Sequence, residues 1–189
     1  MNKKKIKILG SGPTGSLLAI ALASRNCEVV LVEPLSEVSL CEKDKGYAIT
    51  QSSRKIFEKL GLWSEIEQYT SGFNSLSIID DSISESVIIR TNDLKTFNKD
   101  QHNIGWVIEH KFLMKVFIDS VNRNKLIDKV NFNSINDQNF DFILAADGRD
   151  SSTRKYWGIN YFKRLYNQRC ISFRAVLRDI PDNRAYEIF

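Results

Sequence analysis

The apolar positions of this chain change period several times, and each change marks a predicted element. Ile6, Ile8 and Leu9 form a short apolar run, and a β-branched run follows at 29–32. Between them the apolar residues of 17–23 recur at helical spacing, so the order reads strand, helix, strand. Further on, Ile56, Phe57 and Leu60 mark one face of a helix, with Ser52 or Ser53 as its cap and Gly61 as its stop. Residues 64–67 match the S-x-x-E capping box and predict another short helix. Strands are predicted at 76–79 and 87–89, joined by an acidic, serine-rich turn, and again at 106–108. Phe112, Leu113, Val116, Phe117 and Val121 then mark a helix to about Arg123. The next strands are 130–132 and 140–145, the second so apolar that burial on both faces is expected. A last strand is predicted at 171–177, and the polar stretches 34–45 and 93–103 are predicted as loop.

The first of these units carries a glycine pattern with chemical meaning. Gly10, Gly12 and Gly15 form G-x-G-x-x-G between the first strand and the helix. Gly10 permits a sharp turn, Gly12 lets a pyrophosphate approach the backbone, and Gly15 lets the helix sit close to the sheet. Thr14 lies inside the loop, and Pro13 falls near the first helical position, where its missing N–H costs nothing. The free amides and the helix dipole suit a pyrophosphate; the dipole contributes only about 0.3–1 kcal/mol when exposed, so several N–H bonds must supply the grip. Glu33 ends the second strand, 18 residues beyond Gly15, close to the spacing at which an acid accepts ribose hydroxyls. Its charge would repel a 2′-phosphate, so FAD or NAD fits better than NADP. A glycine-rich turn in another kind of α/β protein is the bland alternative.

Composition narrows the class. At 189 residues, 42% hydrophobic and 26% charged, the chain is long enough for a folded domain and too apolar for disorder. The net charge of +4 owes much to Lys3, Lys4 and Lys5, which read as a solvated terminus and leave peripheral contact with anionic lipid open. No aromatic-interleaved basic stripe points to nucleic acid. Cys27, Cys41 and Cys170 are odd in number and scattered, which fits reduced thiols in the cytoplasm. The apolar run 17–23 is far short of the roughly 18 residues that span a bilayer, and the basic start leads into a strand rather than a signal-peptide core.

A second constellation lies at 140–154, FDFILAADGRDSSTR. An apolar strand ends in Asp147-Gly148, with Ser151 and Arg154 at fixed offsets, which places a carboxylate where open α/β sheets bind ligands. This D-G-x-x-S-x-x-R pattern, together with the glycine loop and Glu33, resembles the flavin-dependent aromatic hydroxylases, nearest the ubiquinone-biosynthesis hydroxylases. The stretches 48–63, 105–117 and 183–189 are similar to that family as well.

The resemblance implies a Rossmann-like α/β FAD-binding domain with a mostly parallel sheet, formed by 1–72 and 104–160. Residues 73–103 and 161–189 would begin a β-rich substrate domain. It implies FAD as cofactor, NAD(P)H as co-substrate, and hydroxylation of a small aromatic, polyprenyl-phenol-like substrate by a monooxygenase. By family position Gly10, Gly12, Gly15 and Glu33 would hold the ADP half of FAD. Asp147 and Gly148 would lie near the pyrophosphate, Arg154 would support that loop or a nicotinamide cofactor, and Lys45 replaces a usual arginine before Gly46. His110 reads either as a flavin contact or as a polar helix-start residue. The family's third flavin motif, a G-D pair, would lie beyond Phe189, so the chain reads as an amino-terminal part, with no catalytic residue assigned and no hydroxylation expected from it alone. A non-catalytic FAD-binding remnant, a flavin reductase or a halogenase shares this front half. An NAD-dependent dehydrogenase would need a catalytic His or Tyr/Lys set, which is not found.

Other residues have plainer readings. His102 reads as a solvated loop residue, and two histidines without a matching cluster make no case for a metal. Trp63, Trp106 and Trp157 read as core, Cys27 and Cys170 as small buried thiols, and Arg54 as an exposed helical arginine. Ser151 and Ser152 lack the G-x-S-x-G context of a hydrolase.

Overall fold

The structure is a computed structural model that describes residues 3–93, 102–131, 137–166, 178 and 183–188. In chain order the elements are β1 (Lys5–Leu9), α1 (Pro13–Ala23), β2 (Glu28–Val32), α2 (Glu37–Cys41), β3 (Gly46–Thr50), α3 (Gln51–Lys59), α4 (Trp63–Glu67) and β4 (Thr70–Phe73). They continue with β5 (Ser75–Asp80), β6 (Glu85–Arg90), β7 (Gly105–Glu109), α5 (His110–Arg123), β8 (Ile127–Val130), β9 (Phe142–Ala145), α6 (Ser152–Tyr156) and β10 (Arg184–Ile188).

The chain divides into two compact units. The first comprises Met1–Asp44 and His110–Cys170. Its sheet is wholly parallel with strand order β8-β2-β1-β9, the doubly wound arrangement expected of a Rossmann-like domain. Ile8, Val29 and Leu31 are at most 1% exposed, and each such side chain contributes about 1.5–3 kcal/mol by burial. α1 packs on β1, β2, β8 and α5 through Ala19, Ile20 and Ala23, with Gly15 and Ser16 buried in its first turn.

The second unit comprises Lys45–Glu109 and Ile171–Phe189 and holds two three-stranded sheets, β3-β7-β4 and β10-β5-β6. β3, α3, α4, β4 and β7, expected with the flavin domain, fall in this unit.

Several local expectations are corrected. The stretch expected as loop after Glu33 contains α2, started by Ser36, whose hydroxyl accepts the Ser39 amide. The short strands β3 and β4 were not expected. The cap of α3 is Thr50, which accepts the Ser53 amide, rather than either serine. Its stop is as read: Gly61 donates to the Glu58 carbonyl and Leu62 to that of Phe57, with both apolar partners buried. Ile56, placed on the core face of that helix, is 49% exposed. The capping box at 64–67 does not form, because the cap of α4 falls two residues before Ser64, at Leu62, with no side-chain cap bond.

The strand expected at 130–132 lies earlier, at 127–130, in register with β2. β9 is not buried on both faces. Among the described residues it pairs with β1 alone, and Phe142 is 55% exposed at that edge. Trp157 is 42% exposed, whereas Trp63 and Trp106 are core residues packed edge to face at 5.1 Å. Arg54 is not a free surface residue: its guanidinium lies 5.1 and 5.0 Å from those two rings and pairs with Glu58. Cys27 is half-buried. The strand expected at 171–177 and Cys170 lie outside the described residues. Among the described residues no helix is long and apolar enough to cross a membrane.

Candidate functional site

Three strands of the first unit end in one row. Leu9 is in register with Val32 on one side and Ala145 on the other. Gly10, Glu33 and Ala146 therefore leave the sheet side by side, at the point where strand order reverses around β1. Ligands of open α/β sheets bind at such points. A cleft of about 470 Å³ opens there, between the glycine loop, the β2–α2 segment and the β9–α6 loop.

The loop glycines have separate causes. Gly10 has φ +98, and a Cβ on it would stand 2.6 Å from the Ala146 carbonyl oxygen. A Cβ on Gly15 would stand 1.8 Å from the Gly10 carbonyl oxygen, because the first turn of α1 folds back on the loop. Gly12 has an ordinary φ of −62, and a Cβ on it would meet no protein atom within 4 Å. The protein's own packing does not require glycine at 12; the room its missing side chain leaves belongs to the cleft, which Gly12 lines.

The electrostatics of that corner favour an anion. α1 begins at Pro13 with no side-chain cap and no acidic residue in its first turn. Thr14 and Lys43 both line the cleft. The Ser16 hydroxyl donates to the Ser11 carbonyl at 2.8 Å and braces the loop from beneath. Glu33 Oε2 accepts the Ser11 amide at 2.8 Å and the Ser11 hydroxyl at 3.2 Å, and Oε1 accepts the Leu35 amide at 3.1 Å. These bonds hold the carboxylate at the cleft wall, fill Oε2 and leave acceptor capacity on Oε1.

Asp147 lines the cleft and also orders its own loop. Partial burial pushes its carboxyl up, but hydrogen bonds from the Ser151 hydroxyl and from the Thr153 amide and hydroxyl outweigh burial and hold it below the usual aspartate range. The Thr153 amide donates at 3.0 Å, and Ser151 Oγ accepts the Arg154 amide at 2.9 Å to cap α6. Arg154 turns away from the cleft: Nη2 donates to the Arg149 carbonyl at 2.7 Å, and the guanidinium stacks 4.2 Å from the Tyr161 ring centroid. The spacing D-G-x-x-S-x-x-R is thus met by a self-bonded loop.

The chain was compared with known proteins. A family model described as "FAD binding domain" matches residues 3–104, more than half of the chain. The chain belongs to the FAD binding domain family.

Two curated relatives and several solved structures are similar to the chain. Protein slr1300 of Synechocystis sp. is 25% identical over 209 residues, covering 100% of this chain and 49% of that protein. The mitochondrial ubiquinone biosynthesis monooxygenase COQ6 of Dictyostelium discoideum is 22% identical, covering 94% of this chain and 44% of that one. This chain therefore spans about half the length of the curated relatives it matches. Among solved structures, PqsL of P. aeruginosa in complex with 2-aminobenzoylacetate superposes with TM-score 0.67 at 15% identity, covering 87% of this chain and 48% of PqsL. p-Nitrophenol 4-monooxygenase PnpA of Pseudomonas putida DLL-E4 gives 0.64 at 16%, covering 82% and 44%. At these identities the structures speak for the fold.

The residues present fit the ADP half of FAD. The room beside Gly12, the uncapped start of α1 and the acceptor at Glu33 are the groups a pyrophosphate and a ribose require. Of the residues singled out from sequence, Gly10, Gly12, Pro13, Thr14, Glu33, Asp147 and Gly148 line this one cleft, and Gly15 lies buried beneath it. Three do not line it. Arg154 braces the loop behind it, and Lys45 belongs to the second unit. His110 is 1% exposed, with Nε2 2.7 Å from the Leu40 carbonyl oxygen, and ties α5 to the end of α2. Lys43 is the cleft residue that sequence reasoning missed. Its charge is visible in the sequence, but only the unexpected α2 brings it to the cleft.

Proposed function

We propose that this chain is the FAD-binding part of an NAD(P)H-dependent monooxygenase that hydroxylates an aromatic, polyprenyl-phenol-like substrate. The observation that carries the reading is the cleft at the ends of β1, β2 and β9, where Gly12 leaves room that no protein atom occupies and Glu33 lines the same space. In this reading the first-turn amides of α1 and the Lys43 ammonium bind the pyrophosphate, and Glu33 accepts the ribose hydroxyls. Pro34, Leu35 and Leu40 offer the adenine an apolar wall, and Asp147 keeps the β9–α6 loop closed against the glycine turn. When bound, FAD supplies the hydride acceptance and oxygen activation by which one atom of O2 is placed on an electron-rich ring.

The substrate class rests on the relatives' names: ubiquinone biosynthesis for one, p-nitrophenol and 2-aminobenzoylacetate for two others. The division into a flavin part (1–72 and 104–160) and a substrate part (73–103 and 161–189) belongs to the same proposal. So does peripheral contact with the membrane in which a prenylated phenol resides.

Two experiments test the reading. Glu33→Ala is expected to weaken FAD binding by about 1–3 kcal/mol, the cost of unpartnered ribose hydroxyls; an unchanged titration removes Glu33 from the ribose. A full-length protein carrying this chain, given FAD, NAD(P)H, a prenylated phenol and isotopically labelled oxygen, is expected to put one labelled atom into the product. NAD(P)H consumption that yields only hydrogen peroxide would contradict the hydroxylase reading.

A further inference from the structure

We propose that the second unit carries a separate binding site for a small organic oxyanion, a carboxylate or phosphate head on an apolar body, in a trough on the β10-β5-β6 sheet. Strand register builds this trough. Arg184 of β10 stands beside Ser75 of β5, and Ser75 stands beside Arg90 of β6. Paired residues project on one face, so the two arginines flank a serine with their Cα atoms about 9.6 Å apart, twice the strand spacing. The next row on that face is Tyr186, Ser77 and Ile88. The central strand thus supplies a floor of two small hydroxyl side chains, Ser75 and Ser77, only 8% and 9% exposed, between walls of long side chains. The resulting cavity of about 290 Å³ is lined by both arginines, both serines and Ile88.

The charge pattern points to an anion. Among the described residues neither guanidinium has an ion-pair or hydrogen-bond partner. Asp93 is close in the chain, but its carboxylate accepts the Arg90 backbone amide at 2.8 Å. Like charges on one face of a sheet repel. An oxyanion between them replaces that repulsion with two charge-assisted forks, and the serine hydroxyls beneath can donate to it. Ile88 gives an apolar body a surface to rest on. The volume lies near the lower end of the roughly 300–1,000 Å³ found for small-molecule sites, which suits a single ring rather than a dinucleotide. None of these residues lines the FAD cleft, so the site stands or falls apart from the FAD reading.

The test is an NMR titration of the full isotope-labelled chain with benzoate, phenyl phosphate and inorganic phosphate at constant ionic strength. Saturable shifts at the Ser75 and Ser77 amides and at the Arg90 and Arg184 side chains are expected, with phenyl phosphate tighter than inorganic phosphate. Arg90→Gln and Arg184→Gln should each weaken binding about tenfold or more, the loss of a hydrogen bond to a charged group. Shifts that never saturate, or a double variant that binds as wild type does, would overturn the proposal. Should the double variant not fold, Arg184→Lys keeps the charge but loses the fork. Several-fold weaker binding by that variant supports the site, and wild-type affinity overturns it. Equal affinity for phenyl and inorganic phosphate would overturn the organic part.

Discussion

Gly12 and Gly15 look interchangeable as letters, yet their surroundings predict opposite phenotypes. A methyl at Gly15 would collide with the Gly10 carbonyl oxygen at 1.8 Å, and backbone on both sides leaves little to yield. Gly15→Ala is therefore expected to cost about 1–3 kcal/mol of stability as overpacking, read as a melting temperature several degrees lower. Gly12→Ala meets no protein atom and should melt within about 0.5 kcal/mol of wild type, while its affinity for FAD falls about tenfold or more. Stability loss at both positions, or at neither, would mean that the loop packs differently. Glu33 has a mixed role, because it accepts the Ser11 and Leu35 amides as well as facing the cleft. Its replacement by alanine should lower both melting temperature and FAD affinity.

At the scale of elements, the β9–α6 loop is held by one carboxylate. Asp147 accepts hydrogen bonds from Ser151, the cap of α6, and from Thr153, and those bonds outweigh burial and lower its pKa. A depressed carboxyl contributes stability that is fully present above its unfolded value of about 3.9 and is lost as pH falls through the lower folded value. Wild type should therefore lose an increment of stability below about pH 4 that Asp147→Asn lacks. Acid-unfolding curves of the two proteins that stay parallel to the lowest pH would refute this.

Legibility in the sequence also divides at this scale. β1, α1 and β2 were readable because period, glycines and the closing acid agreed within the one stretch from Lys5 to Glu33. α2 was not, since it has five residues and only Leu40 is buried. β3 and β4 each contain a glycine and alternate weakly, so neither carries a strand signal of its own. The burial of β9 was misread because apolar content cannot tell a central strand from an edge. Arg54 was misread because its aromatic partners, Trp63 and Trp106, come from different elements.

For the whole molecule, the parallel unit and its cleft follow from local signals, and the membership of the FAD binding domain family agrees with them. The position of Lys43 and the trough between Arg90 and Arg184 depend on strand register and on elements far apart in the chain, which no short-range pattern encodes. The central claim is that the first unit grips the ADP half of FAD, and a competition titration tests it most directly. The chain would be titrated with FAD, followed by flavin fluorescence, and the complex challenged with ADP or with FMN. Saturable binding that ADP reverses, that FMN does not, and that Gly12→Ala weakens is the predicted result. Binding reversed by FMN but not by ADP, or left unchanged by Gly12→Ala in a protein that melts normally, would contradict it.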